Sequence, residues 1–152
     1  HGAHGKEETH SPIRTFMPMD VGGEPNIIAS YTCTPLVCIP LSKLQPDSKV
    51  KGRTVAELGN RNRPLDMISY EKGGERFILM ANSARGVMKV STKDIATIDA
   101  ITQRVAGETA GLSYETVDAW TDVVQLAKVD EGHAAIIRSG EAGQSLEQVA
   151  LP

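Results

Sequence analysis

The sequence lacks any strong bias of charge: 16 Lys and Arg against 19 Asp and Glu leave a net charge of −3 over 152 residues. A chain so balanced carries no basic footprint for nucleic acid or for an anionic membrane surface. It also lacks a long hydrophobic run, and no window approaches the roughly 18 apolar residues that a spanning helix requires. Catalytic signatures are missing too. Ser69, Ser83 and Ser113 have no Gly-x-Ser-x-Gly context, and Gly107-Glu108-Thr109-Ala110-Gly111 has neither the lysine nor the spacing of a phosphate-binding loop. Cysteine is scarce: Cys33 and Cys38 are the only two. Their odd spacing would send them to opposite faces of a regular strand, so a bridge needs a bend, which Pro35 could supply. Two buried thiols are the simpler reading, and the pair does not argue for an oxidising compartment. An initial Met is absent as well. A start at His1 fits removal of a leader, which would put the protein outside the cytoplasm, and equally fits an expression scar or a truncated segment.

What is present is an ordinary globular composition, 40% apolar and 23% charged, in a length sufficient for one domain with a core. The strongest pattern is a strand-turn-strand unit that occurs twice. Leu65–Tyr70, the turn Glu71–Gly74, Arg76–Met80, the bend Asn82–Gly86 and Val87–Val90 form the first copy. Val123–Val129, the turn Asp130–Gly132, Ala134–Ile137, the bend Ser139–Gln144 and Leu146–Leu151 form the second. Short antiparallel units of this size cannot each bury a face alone and must stack. The expected fold is therefore mainly β, with antiparallel sheets and one or two short helices.

Residues 1–24 read as a flexible arm with little periodicity, holding His1, His4 and His10, and residues 25–152 read as the folded domain. Asn26–Thr32, Pro35–Leu41 and Val50–Leu58 have the β-branched composition of strands, with a polar turn over Ser42–Ser48. Gly59–Pro64 reads as a polar loop. Thr92–Ala106 reads as a helix: Ile95, Ile98, Ile101 and Val105 recur at three- and four-residue steps, Ser91 or Thr92 can cap the start, and Gly107 follows the end. Ser113–Trp120 reads as a second short helical turn, with Tyr114 and Trp120 packing between the two repeat copies.

Thr54-Val55-Ala56-Glu57-Leu58-Gly59, Asn62-Arg63-Pro64-Leu65-Asp66-Met67-Ile68 and Ala81-Asn82-Ser83-Ala84-Arg85-Gly86-Val87-Met88-Lys89-Val90 resemble a blade of bacterial β-propeller proteins of the secreted or periplasmic kind. Tyr31–Val37 resembles the strand opening the preceding blade, and Leu146–Pro152 resembles a last blade strand. The Trp-Asp ending of WD40 blades is not present. A closed propeller has ~4 to 8 four-stranded blades of about 40 residues or more. Residues 25–152 supply about three. The resemblance thus implies a partial propeller: the C-terminal blades of a larger protein, or a piece that completes another chain.

Two constellations could carry chemistry. His1 offers an α-amino group and an imidazole, a pair suited to copper, to which His4 or His10 could add a third nitrogen in a metal-dependent redox protein. The second is the Asn60–Pro64 loop with Asp66 and Asn82–Arg85, which antiparallel pairing would bring to one end of a hairpin. Arg63 and Arg85 beside Asp66 and Asn82 could bind a carboxylate or phosphate, or could pair internally to hold the loop. Asp66 and Asn82 could also begin a calcium site of a propeller-type hydrolase or lactonase, with further ligands from other blades. His133, beside a hairpin turn, reads as solvated. The function expected on these grounds is a structural or binding module working through blade-end loops.

Overall fold

Alternation of apolar and polar side chains builds the first hairpin. In β1 (Ile13–Val21), Thr15, Met17, Met19 and Val21 are buried while Arg14, Phe16, Pro18 and Asp20 are exposed. That period of two is the signature of a strand with one covered face. The computed structural model describes residues 12–106 and 109–152. Among them, the stretch expected to close the flexible arm is instead the first strand, paired antiparallel with β2 (Glu24–Tyr31). Its hydrophobic positions, Met17 and Met19 among them, outweigh the prolines, because Pro12 precedes the strand and Pro18 lies on its exposed face.

The described residues are mainly strand, 62%, with almost no helix, in three antiparallel sheets of which none closes. The first sheet has the order β1-β2-β3-β4-β8, adding β3 (Cys33–Pro40), β4 (Arg53–Asn62) and β8 (Thr109–Gly111) to the first hairpin. The central sheet has the order β5-β6-β7-β9, from β5 (Pro64–Lys72), β6 (Glu75–Asn82), β7 (Gly86–Ser91) and β9 (Tyr114–Thr116). The last sheet is β10 (Val123–Lys128), β11 (His133–Gly140) and β12 (Gly143–Ala150). Both expected repeat copies are hairpins followed by a third antiparallel strand. Gly73 and Gly74, with φ of 62° and 79°, supply the two left-handed residues that a tight β5–β6 turn demands.

The central sheet buries both faces. Along β6, Ile78 and Met80 enter one core with Met17, Ile28, Leu36 and Leu58 of the first sheet. Leu79 and Ala81, pointing the other way, enter a second core with Leu126, Ala134 and Ile136 of the last sheet. All four of these β6 side chains are 0% exposed. Burying each large one is worth about 1.5–3 kcal/mol, so β6 contributes to both cores at once.

The expected helix over Thr92–Ala106 does not form. Ile95 N–H donates to the Thr92 carbonyl and Ile98 N–H to that of Asp94, which is one helical turn. There the helix would have to use the carbonyls of Ile95 and Ile98. The Arg53 guanidinium takes both, at 2.7 and 2.8 Å, and Ile101 N–H turns away to the Thr54 carbonyl. A β-branched segment has little intrinsic helicity to resist these partners. The second expected helical turn is likewise displaced: Tyr114–Thr116 pairs with β7, and only a turn closed by Trp120 N–H on the Val117 carbonyl follows. Trp120 does pack between the central and last sheets, whereas Tyr114 packs against the other core.

Candidate functional site

The expected loop Gly59–Pro64 is in fact the crossing from the first sheet to the central one, and Arg63 alone separates β4 from β5. Strand geometry survives so far along β4 because Gly59 and Arg61 take left-handed backbone at φ of 91° and 62°, bending the strand without ending it. Arg63 then bridges the sheets by backbone bonds: its N–H donates to Asn82 Oδ1 at 3.3 Å and its carbonyl accepts from Ser83 N–H at 3.1 Å.

An open cleft of about 1000 Å³ lies at this crossing. Arg61, Arg63 and Arg104 line it, and among the described residues no carboxylate does. In a chain of net charge −3, Arg61 and Arg63 on one wall, with no carboxylate beside them among the described residues, raise the positive potential locally. Thr32, Cys33 and Ser83 add hydroxyl and thiol groups to the wall.

Beneath the arginines is a buried amide pair. Asn82 Oδ1 accepts from the backbone N–H groups of Arg63 and Ala84, which orients that amide. Its Nδ2 must therefore be the donor, and it donates to Asn62 Oδ1 and to the Met88 sulfur. Asn62 is thereby oriented in turn, with Nδ2 as its remaining donor. Asn62 is 0% exposed, lines the cleft, and its Nδ2 has no partner among the described residues. A buried donor left without a partner costs about 1–3 kcal/mol, so a ligand oxygen supplied here would recover a real penalty.

Of the four residues expected to bind a ligand, the structure brings Arg63 to the cleft and Asn82 directly under it. Arg85 lies behind them, its Nη2 donating to the Asn60 carbonyl at 2.6 Å and its Nε buried. Its guanidinium also occupies the space over Gly59, where a Cβ would come within 2.7 Å of Nη2. Asp66 faces elsewhere: Oδ1 accepts from Met67 N–H and Oδ2 from Leu126 N–H, both at 2.8 Å, tying the central sheet to the last. Asp66 and Asn82 thus turn to different partners, Asp66 to Met67 and Leu126 and Asn82 to Arg63 and Ala84. The described residues hold no group of three or more His, Cys, Asp or Glu able to hold a metal. His1, His4 and His10 lie outside the described residues.

Sequence reading took Cys33 for a buried thiol or half of a bridge and placed none of Cys33, Thr32 and Arg104 at a site; Cys33 is in fact partly exposed. Cys33 stands opposite Asn62 in the β3–β4 register, where the ladder shifts and the Cys33 backbone takes φ of 82°. Arg104 arrives from the segment that was read as a helix. Neither approach has a local signal, because both depend on the bend of β4. The two cysteines are free; Cys38 is buried, and desolvation pushes its thiol up to about 11 despite the Arg53 charge. His133 is exposed and contacts Asp130 Oδ1 at 3.0 Å.

Comparison with protein-family models, with curated proteins and with solved structures finds no match to this chain.

Proposed function

We propose that the chain is a β-propeller-type structural and binding module of a larger periplasmic or secreted protein, and that it takes an anionic ligand, a carboxylate or phosphate, at the cleft beside Arg63. The observation that carries the binding half is the cleft's charge: Arg61 and Arg63 on its wall and, among the described residues, no acid there and no partner for the buried Asn62 donor. Guanidiniums suit such oxyanions because their N–H groups form a rigid fork.

The module half rests on the stacking. Three successive antiparallel sheets lie one on the next, and the two end sheets turn apolar side chains outward, Phe16 at 63% and Leu146 at 75% exposed. Blades on either side, in the same polypeptide or in another chain, would cover those side chains.

Calorimetric titration with inorganic phosphate and with citrate at low salt tests the binding reading. Arg63→Ala is expected to weaken binding about tenfold or more, the scale of one charge-assisted hydrogen bond, with the melting temperature unchanged. Arg85→Ala is expected to lower the melting temperature, since its guanidinium holds the Asn60 carbonyl and packs over Gly59. Absence of heat with either anion would end this reading.

A further inference from the structure

The cleft that supports anion binding also contains a nucleophile that anion binding does not use. Cys33 forms part of its wall, is partly exposed, and is a free thiol. The residue across the ladder is Asn62, which belongs to the same wall and whose buried Nδ2 has no partner among the described residues. Both residues line the one cleft, so the buried amide and the sulfur border the same ligand-sized space. The arginine rim then selects what enters.

We propose that Cys33 is a site of reversible mixed-disulfide formation with small anionic disulfides of the chemical class of oxidised glutathione, whose carboxylates the cleft arginines and the Asn62 amide hold beside the thiol. The proposal rests on the anion-receptor reading of the cleft but adds a covalent step. In that step the Cys33 thiolate attacks one sulfur of the disulfide RS–SR. The S–S bond breaks as the new Cys33 Sγ–S bond forms, and the departing RS⁻ takes up the proton that Cys33 gave up. The net change, Cys33–SH + RSSR → Cys33–SSR + RSH, oxidises the Cys33 sulfur and reduces one sulfur of the reagent, with no other oxidant. A small thiol reverses it. Cys38 does not compete, being 1% exposed within the core between the first and central sheets.

The test compares two reagents on the folded chain: oxidised glutathione, which is anionic, and bis(2-hydroxyethyl) disulfide, which is neutral. Intact mass and peptide mapping should show a single adduct on Cys33 that dithiothreitol removes and that Cys33→Ser abolishes. In an Arg61→Gln/Arg63→Gln variant with an unchanged melting temperature, the rate with oxidised glutathione should fall about tenfold at low salt and by less at high salt, as screening predicts. The rate with the neutral reagent should stay the same. No adduct on Cys33, an adduct on Cys38 instead, or an equal loss with both reagents would overturn the proposal. Phosphate or citrate binding to a chain whose Cys33 stays unmodified would overturn it while leaving the binding reading intact. Charge-dependent modification without phosphate or citrate binding would do the reverse.

Discussion

The two seams on either side of the central sheet are built by different means. The seam with the first sheet contains all five methionines, Met17, Met19, Met67, Met80 and Met88; inside its core the polar contact is the weak bond from Ser30 Oγ to Met80 Sδ at 3.5 Å, and its directed bonds, Asn82 to Asn62, Arg85 to the Asn60 carbonyl and Arg76 to the Asp20 carbonyl, lie at its edges. The seam with the last sheet has no methionine. It packs Tyr70, Trp120, Leu79, Leu126 and Ile136, and is pinned by directed bonds: Asp66 to Leu126 N–H, Tyr70 Oη to the Pro152 carbonyl at 2.6 Å, and Lys72 Nζ to the Leu151 carbonyl at 3.0 Å. Methionine is flexible and fills irregular gaps, so the first seam gains cohesion without one required arrangement. The second gains specificity, because hydrogen bonds and branched or aromatic shapes fit only one register. The cleft sits at the hydrogen-bonded edge of the first seam, beside the Asn62–Asn82 pair.

The largest expected effect that would break this contrast comes from the cores themselves. Ile136→Ala in the pinned seam should cost toward the upper end of about 2–5 kcal/mol, since branched neighbours collapse poorly into the cavity, whereas Met80→Ala in the adaptable seam should cost toward the lower end of that range, since flexible methionine neighbours can fill in. Urea denaturation of both variants measures it, and equal losses would erase the distinction.

Next in size are the pins. Asp66→Ala should lower stability by about 1.5–3 kcal/mol, the range for bonds to a charged group, with weaker hydrogen-exchange protection at Leu126 N–H. Tyr70 gives the same seam a pH dependence. Burial, with the Glu115 charge, pushes its phenol from 10.0 up to about 12. A raised folded value means that the stabilisation is complete below pH 10 and is lost as pH rises toward 12. Tyr70→Phe should cost about 1 kcal/mol at neutral pH and flatten that alkaline decline. An unaltered decline would assign it to other groups, such as the Cys38 thiol.

The smallest effect lies at the rim of the last sheet. The Asp130 carboxyl is held below its ordinary value by the Gly132 N–H and then His133, and that of Glu147 by the Ser145 hydroxyl and then Arg138. Depressed folded values give stability that is present above the ordinary carboxylate range and is lost as pH falls below it. Both groups are exposed, so Glu147→Gln should shift an acid-unfolding midpoint only slightly. A large shift would mean that the last sheet is held by its surface charges rather than by its core.

The hairpins were legible because their signals are local: alternating apolar residues flank Gly73-Gly74 and Asp130-Glu131-Gly132, and such turns set their own register. The failures share one cause. Thr92–Ala106 has a helical period, but Arg53, about forty residues earlier, takes the carbonyls a helix would need. Pro12 and Pro18 made the first strand look like an arm, although only its exposed positions had to tolerate them. At the cleft, Arg63 and Asn82 were foreseeable because they end paired strands, while Cys33 and Arg104 were not.

By itself the sequence determined which segments are extended, where they turn, and that paired faces must be covered by neighbours, since periodicity and turn chemistry act over a few residues. Tertiary structure alone decided that β6 would serve two cores at once, that Asp66 would tie sheets together while Arg63 faced the cleft, and that Asn62 would be buried opposite Cys33 with a donor unused among the described residues. Those outcomes depend on which distant backbone groups compete for each side chain, and that competition is settled only when the sheets have met.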